Sequence, residues 1–222
     1  MEVNKIYTYF DDVGLNHQED LIQLWRKSWE NQGFKVTVLT KNDATSHPFY
    51  KKFNLEIQDL CKEIMGQKIG QYGMSCWLRW LAYANQAEEF FYVSDYDVIN
   101  KKFTPKEVGE KLQLYDLHVP CFASGTPKQF LELCKSFIEI TRTNLTLLKK
   151  HSHYHDQEFF LYNMQELKQE IIFSRHRDSF FSVFGLQNEA TELVHFSHFR
   201  CGGNEKKRIN LIKKYLELPL SV

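Results

Sequence analysis

The stretch that most constrains this chain is Phe90-Phe91-Tyr92-Val93, an unbroken apolar run that stops at Ser94-Asp95-Tyr96-Asp97. A strand that alternates apolar and polar residues can leave one face in water, whereas a strand apolar at every position has to be covered on both. It belongs at the centre of a sheet with layers above and below. Earlier segments agree. Lys5–Phe10 and Lys35–Thr40 read as strands. Between them Leu21, Leu24, Trp25, Ser28 and Trp29 recur at helical spacing up to Gly33, a residue suited to a helix C-terminal cap. A β-α-β unit joins parallel strands. The expected class is α/β, a mixed and mostly parallel sheet flanked by helices, in one domain over residues 1–222.

The remaining pattern fills in that plan. Asn42–Pro48 reads as a polar loop, and Phe49–Met65 and Tyr72–Asn85 as helices, the second with Met74, Trp77, Leu78, Leu81 and Ala82 on one face. Leu112–Ser124 holds one or two strands. Thr126-Pro127 opens a helix, with Thr126 at the cap and Pro127 in the first turn. A further helix covers Asp156–Glu166, late strands cover Ile171–Ser174 and Glu192–Phe199, and Glu205–Leu216 is a basic amphipathic helix.

Composition excludes several function classes. Lys+Arg and Asp+Glu are both 28, without the basic excess of a nucleic-acid binder. The five cysteines are odd in number and none are spaced Cys-X-X-Cys, so reduced, buried thiols are expected rather than a disulfide framework or zinc knuckle. Charged residues Glu2, Lys5, Asp11 and Asp12 break the apolar region a secretory signal needs, and no apolar run nears the roughly 18 residues of a membrane span. A cytoplasmic location follows, with peripheral membrane contact possible through the Lys206, Lys207, Lys213 and Lys214 face of the last helix. The alternative is that this helix docks on the core with its basic face in water.

Asp95 and Asp97 lie at the carboxyl end of the apolar strand, where open α/β sheets bind ligands. Two carboxylates two residues apart, with Tyr96 turned away, can face one pocket. There they repel unless a cation sits between them, and oxygen-rich ligation suits Mg²⁺ or Mn²⁺. A strand ending in Asp-X-Asp after a helix bearing Arg79, within Ser75-Cys76-Trp77-Leu78-Arg79-Trp80, resembles the nucleotide-sugar-dependent glycosyltransferases of the GT-A fold. The resemblance is to retaining, DXD-containing members of glycosyltransferase families 8 and 32. It implies a Rossmann-like GT-A domain in which Asp95 and Asp97 hold Mn²⁺ (or Mg²⁺) on the diphosphate of a nucleotide-sugar donor. It also implies that Arg79 and Tyr96 contact the donor. One departure is that Asn85-Gln86-Ala87-Glu88-Glu89 stands where such enzymes often carry Gly-Gly.

The same resemblance assigns the remaining candidates. Asp156-Gln157 followed by apolar residues and Asn163 is similar to a second signature of retaining enzymes. Asp156 then binds donor-sugar hydroxyls, and Gln157 lies near the anomeric carbon opposite the leaving group. In an inverting enzyme Asp156 or Glu158 would instead deprotonate the acceptor. His195 fits a late metal ligand, with His198 as the alternative, and Lys206 or Lys207 would meet the leaving diphosphate. The first strand, with Tyr7, Thr8 and Tyr9, and the loop after it with Phe10 and Asp11, would hold the nucleoside. The expected reaction is transfer of a sugar from a nucleoside diphosphate sugar, UDP being the commonest base, to a hydroxyl of a glycan or lipid-linked acceptor. Two other classes share these residues: a metal-dependent phosphohydrolase, and a non-catalytic nucleotide-sugar-binding domain.

Overall fold

The structure, a computed structural model, describes residues 4–14, 16–105, 110–115, 119–149, 151–167, 171–173 and 181–217. The chain runs β1 (Lys5–Tyr9), α1 (Gln18–Glu30), β2 (Lys35–Leu39), α2 (Lys41–Thr45), α3 (Tyr50–Met65), α4 (Gln71–Ala84), β3 (Phe91–Ser94), β4 (Val98–Asn100), β5 (Leu112–Leu114), β6 (Phe122–Gly125), α5 (Pro127–Thr143), α6 (Leu145–Leu148), α7 (Asp156–Leu167), β7 (Ile171–Phe173), β8 (Phe181–Val183), β9 (Leu193–His195) and α8 (Glu205–Glu217). Six strands form one sheet in the order β2-β1-β3-β6-β5-β7. Its β1–β2, β1–β3 and β5–β7 pairs are parallel, and β6 runs antiparallel to both β3 and β5. A small second sheet, β4-β9-β8, stands beside it. This is the mixed, mostly parallel α/β architecture that the strand pattern predicts.

All four residues of β3 are buried, and they alternate between two cores. Phe91 and Val93 face one core, where Trp77, Trp80 and Tyr83 of α4 meet Phe130 and Phe137 of α5 and Phe159 of α7. Tyr92 faces the other, built from Trp25 and Trp29 of α1, Phe34, Phe103, Phe122 and strands of the small sheet. The ring contacts are largely edge-to-face or offset-stacked, such as Trp77–Phe137 at 4.9 Å and Tyr115–Phe122 at 4.5 Å. The aromatic richness is therefore spent in core.

Several boundaries differ from expectation. Asn42–Pro48 is not wholly loop. Thr40 and Asp43 form a reciprocal capping box, which starts the short helix α2. Leu112–Ser124 resolves into β5 and β6. The strand expected over Glu192–Phe199 contracts to β9, because Phe196 N–H already bonds Asp97 O and the chain then turns. Ser174 lies outside the described residues. The strands β4 and β8 and the helix α6 were not anticipated. α5 begins as predicted, with Thr126 Oγ1 accepting from Gln129 N–H at 3.2 Å. α8 docks its apolar stripe, Ile209, Ile212 and Tyr215, into the second core, leaving Lys206, Lys207, Lys213 and Lys214 exposed.

Candidate active site

β3 ends at Ser94, and Asp95-Tyr96-Asp97 carries the chain from the large sheet into β4 of the small one. The turn is pinned by Asp95 N–H to Cys121 O (2.8 Å) and Val98 N–H to Asp95 O (3.0 Å). Its three side chains diverge. Tyr96 turns back to α1, where its hydroxyl accepts from Gln18 Nε2 at 2.7 Å. Asp95 faces α4 and accepts from Arg79 Nη1. Asp97 faces β9 and α8. Its Oδ2 accepts from Arg208 Nη1 at 3.0 Å and lies 3.5 Å from His195 Nε2. The last contact follows from pairing, since Val98 stands opposite His195 across β4 and β9.

Arg79 also grips Asp156, the first residue of α7. Arg79 Nε (3.0 Å), Arg79 Nη2 (2.5 Å) and Trp80 Nε1 (2.8 Å) all donate to Asp156 Oδ2. Arg79 Nη2 reaches Pro120 O as well, at 3.2 Å. His155 Nδ1 lies 3.2 Å from the other Asp156 oxygen. Segments around residues 79, 95–97, 156, 195 and 208 thus meet in one cluster.

Electrostatics separates the three carboxylates. Burial pushes each up, because it disfavours the charged form. At Asp156 the Arg79 guanidinium and the bonds from His155 and Trp80 outweigh burial, and the carboxyl falls below its usual value. At Asp97 His195 and then Arg208 do the same. At Asp95 burial wins, helped by Asp97 and opposed by Arg79, and the carboxyl rises to about 6. His195 is disfavoured as a cation by burial, yet Cys121 and Asp97 beside it hold it well above its ordinary value.

Each aspartate of the pair therefore has its own arginine, which modifies the expectation that a shared cation alone relieves their repulsion. Arg79 is shared between Asp95 and Asp156, and Arg208 between Asp97 and Glu205, with His195 standing beside Asp97 as well. Asp97 Oδ1 is buried with no hydrogen bond, and so is His195 Nδ1. An unpartnered buried carboxylate oxygen is costly, and a cation would relieve it. Carboxylates plus one imidazole fit Mn²⁺ or Mg²⁺. Asp95 is held by Arg79 through one carboxylate oxygen, Oδ1. Among the described residues, ligand atoms mutually within 4.8 Å occur instead at Cys76, His155, Asp156 and at His153, His155, Glu158.

Other candidates are placed as follows. Gln157 is the second residue of α7, half-buried, its N–H on His155 Nδ1 at 3.2 Å. His198 bonds Glu205 at 2.6 Å and is turned to solvent, so His195 rather than His198 stands beside Asp97. Lys206 is exposed, and Lys207 lies against Gly202. Tyr7 and Thr8 lie within the sheet. Tyr7 sends its hydroxyl to Glu88 at the amino end of β3, away from the cluster, and Thr8 is fully buried on the face under α1. A doubly covered strand hides its middle residues. Tyr9, at the carboxyl end, packs in the first core. A cleft of about 380 Å³ opens there, lined by Asp11, Lys41, Tyr50, Gln71, Met74 and neighbours. Asp11 accepts from Ser75 Oγ at 2.6 Å on its wall.

Arg208 was missed as a site residue. Its signal was present, because it shares the helical face of Ile212 and Tyr215, where a charged side chain needs a buried partner.

A family described as a domain of unknown function (DUF8765) matches residues 1–89. No curated protein matches the chain. Among solved structures, the apo form of the glycosyltransferase GlyE of Streptococcus pneumoniae TIGR4 superposes with a TM-score of 0.55 at 15% identity, over 98% of this chain and 61% of that one. A second GlyE structure gives 0.51 at 14% identity, again over 98% and 61%. The galactosyltransferase LgtC, in complex with donor and acceptor sugar analogs, gives 0.45 at 10% identity, over 97% of each chain. The GlyE likeness shows a shared fold, and this chain spans about three fifths of the GlyE length.

Proposed function

We propose that the chain is a metal-dependent glycosyltransferase that moves a sugar from a nucleoside diphosphate sugar, of the UDP class, to an acceptor hydroxyl of a glycan or lipid-linked sugar, with retention. The observation that carries this reading is the convergence of Asp97, His195 and the Arg79–Asp156 pair at the carboxyl end of β3. The fold shared with GlyE supports the transferase class. Mn²⁺ or Mg²⁺, held by Asp97 and His195 with Asp95, would neutralise charge on the departing diphosphate.

The chain's own residues would divide the remaining work. Arg79, fixed by Asp156 and Pro120, presents a guanidinium beside the donor phosphates or sugar. Asp156 has an oxygen saturated by Arg79 and Trp80 and a carboxyl below its usual value, so it is a weak base at neutral pH. That favours an acceptor of sugar hydroxyl hydrogen bonds over a general base at Asp156, and leaves Glu158 as the base an inverting reaction would use. Gln157, one residue on, would face the reacting carbon. The cleft at the end of β1 is within the size range of ligand pockets and would take the nucleoside, with Asp11 on the ribose and Tyr50 beside the base. Membrane contact, if made, would be electrostatic through the exposed lysines of α8, whose apolar face is already used.

The test is release of nucleoside diphosphate and formation of glycosylated product by the full chain, with Mn²⁺ and with chelator. Asp97→Asn is expected to lower turnover at least about a hundredfold, measured at a temperature where circular dichroism shows the variant folded. Wild-type turnover in that variant would sink the site assignment. Phosphate release from simple esters without an acceptor would favour the phosphohydrolase.

A further inference from the structure

His151-Ser152-His153-Tyr154-His155 alternates histidine just before α7, and the transferase reading uses only Asp156 and Gln157 of this region. The His153 and His155 rings stand edge-to-face with centroids 4.4 Å apart. Glu158 lies in the first turn of α7, where its Oε2 accepts from His155 N–H at 3.0 Å and sits 3.2 Å from His155 Nδ1. One ligand atom from each of His153, His155 and Glu158 falls within 4.8 Å of the others.

Zinc binds imidazole nitrogen and carboxylate oxygen at about 2.0–2.2 Å, so neighbouring ligand atoms of a tetrahedron lie about 3.3 Å apart. The His155–Glu158 distance already matches that edge. His153 is exposed, and rotation of its side chain can close the third corner. His155 Nδ1 is also in conflict as it stands. It accepts from Gln157 N–H at 3.2 Å, yet faces Asp156 and Glu158 oxygens at 3.2 Å each. With Nδ1 bare its lone pair faces two carboxylates, and with Nδ1 protonated, in the neutral or the cationic ring, its N–H meets the N–H of Gln157. A cation ligated by Nδ1 and Glu158 removes the repulsion, and the N–H of a first helical turn needs no intrahelical acceptor.

We propose that His153, His155 and Glu158 form a second divalent-cation site, selective for a borderline-soft ion of the zinc class and distinct from the oxygen-rich site at Asp95 and Asp97. Two imidazoles in the set discriminate against Mg²⁺ and Mn²⁺. The positive end of the α7 dipole opposes a cation, but Asp156 and Glu158 in the first turn offset it. The overlapping set of Cys76, His155 and Asp156 is less suited, because burial holds the Cys76 thiol protonated and Asp156 is committed to Arg79 and Trp80. An ion here would sit one residue from Asp156. The proposal does not rest on the transferase reading.

The experiment is a Co²⁺ titration of the full chain followed by visible absorption, with Zn²⁺ as competitor. Wild type and Asp97→Asn are expected to give the same intense band, displaced by Zn²⁺ and not by Mn²⁺. His153→Ala, at an exposed position, and Glu158→Gln are each expected to weaken binding at least tenfold. Equal binding by wild type and His153→Ala would overturn the proposal. So would a band lost in Asp97→Asn but kept in His153→Ala, or no Co²⁺ and Zn²⁺ binding by wild type.

Discussion

Arg208 and Asp97 form an ion pair across 111 positions of sequence, with both side chains more than four-fifths buried. Removing Arg208 leaves the Asp97 carboxylate with His195 alone, 3.5 Å away, and takes a partner from Glu205 as well, at about 3 kcal/mol. Arg208→Met should therefore lower stability in urea by about 3 kcal/mol, and the loss should shrink when Asp97→Asn is added. An unchanged unfolding midpoint in Arg208→Met would show that the pair does not hold Asp97. Asp95 behaves oppositely. Its folded carboxyl, raised to about 6 from 3.8, opposes folding whenever it is ionised. The penalty is absent below the unfolded value, grows as pH rises from about 4 to 6, and is constant above. Asp95→Asn should then stabilise the fold by about 1–2 kcal/mol at pH 8, after discounting for its partial exposure, with the gain fading towards pH 4. Equal stability of the two proteins across that range would contradict the account. Legibility follows the same line. Asp95, Asp97, Asp156 and His195 could be picked out because each stands at an element end or in a short signature. Arg79 could be picked out too, by its place in the helix before the strand, but its pairing with Asp156 and that of Arg208 with Asp97 could not, because pairing between distant residues leaves no local spacing.

At the scale of elements, long periodic segments were readable and short ones were not. The α4 and α5 helices each carry a full apolar face, and Thr126-Pro127 marks a start by its chemistry. The short helix α2 buries only Ala44, so no periodicity betrays it, although Thr40 and Asp43 stand at capping-box spacing. β4, β8 and β9 are three residues each and owe their existence to one another. α8 could be read either as a helix for an anionic surface or as a docked terminal helix. Its contacts favour docking: Phe196 meets the Tyr215 ring at 5.4 Å, and Ile212 is fully buried. Ile212→Ala should cost about 2–4 kcal/mol in chemical denaturation. A loss near zero would mean that α8 stands free of the core.

For the whole molecule, the Asp95-Tyr96-Asp97 turn is the place where two sheets and both cores meet. Arg79 and Asp156 hold it from the side of the first core, and His195 and Arg208 from the second. A strand apolar at every position already implied covered faces on both sides. That a second sheet supplies part of the cover was not legible, since β4 and β9 pair across almost a hundred residues. The central claim is that this junction binds a nucleoside diphosphate through a metal. It is tested most directly by thermal unfolding with a panel of nucleoside diphosphates and their sugars, each with Mn²⁺ and with chelator. A ligand at about 100 times its dissociation constant adds roughly 2.7 kcal/mol. For a chain of this length that moves the midpoint by roughly 5–10 °C. The account predicts such a rise for one nucleotide with Mn²⁺, none with chelator, and none in Asp97→Asn. No shift with any nucleotide, with or without metal, would contradict it.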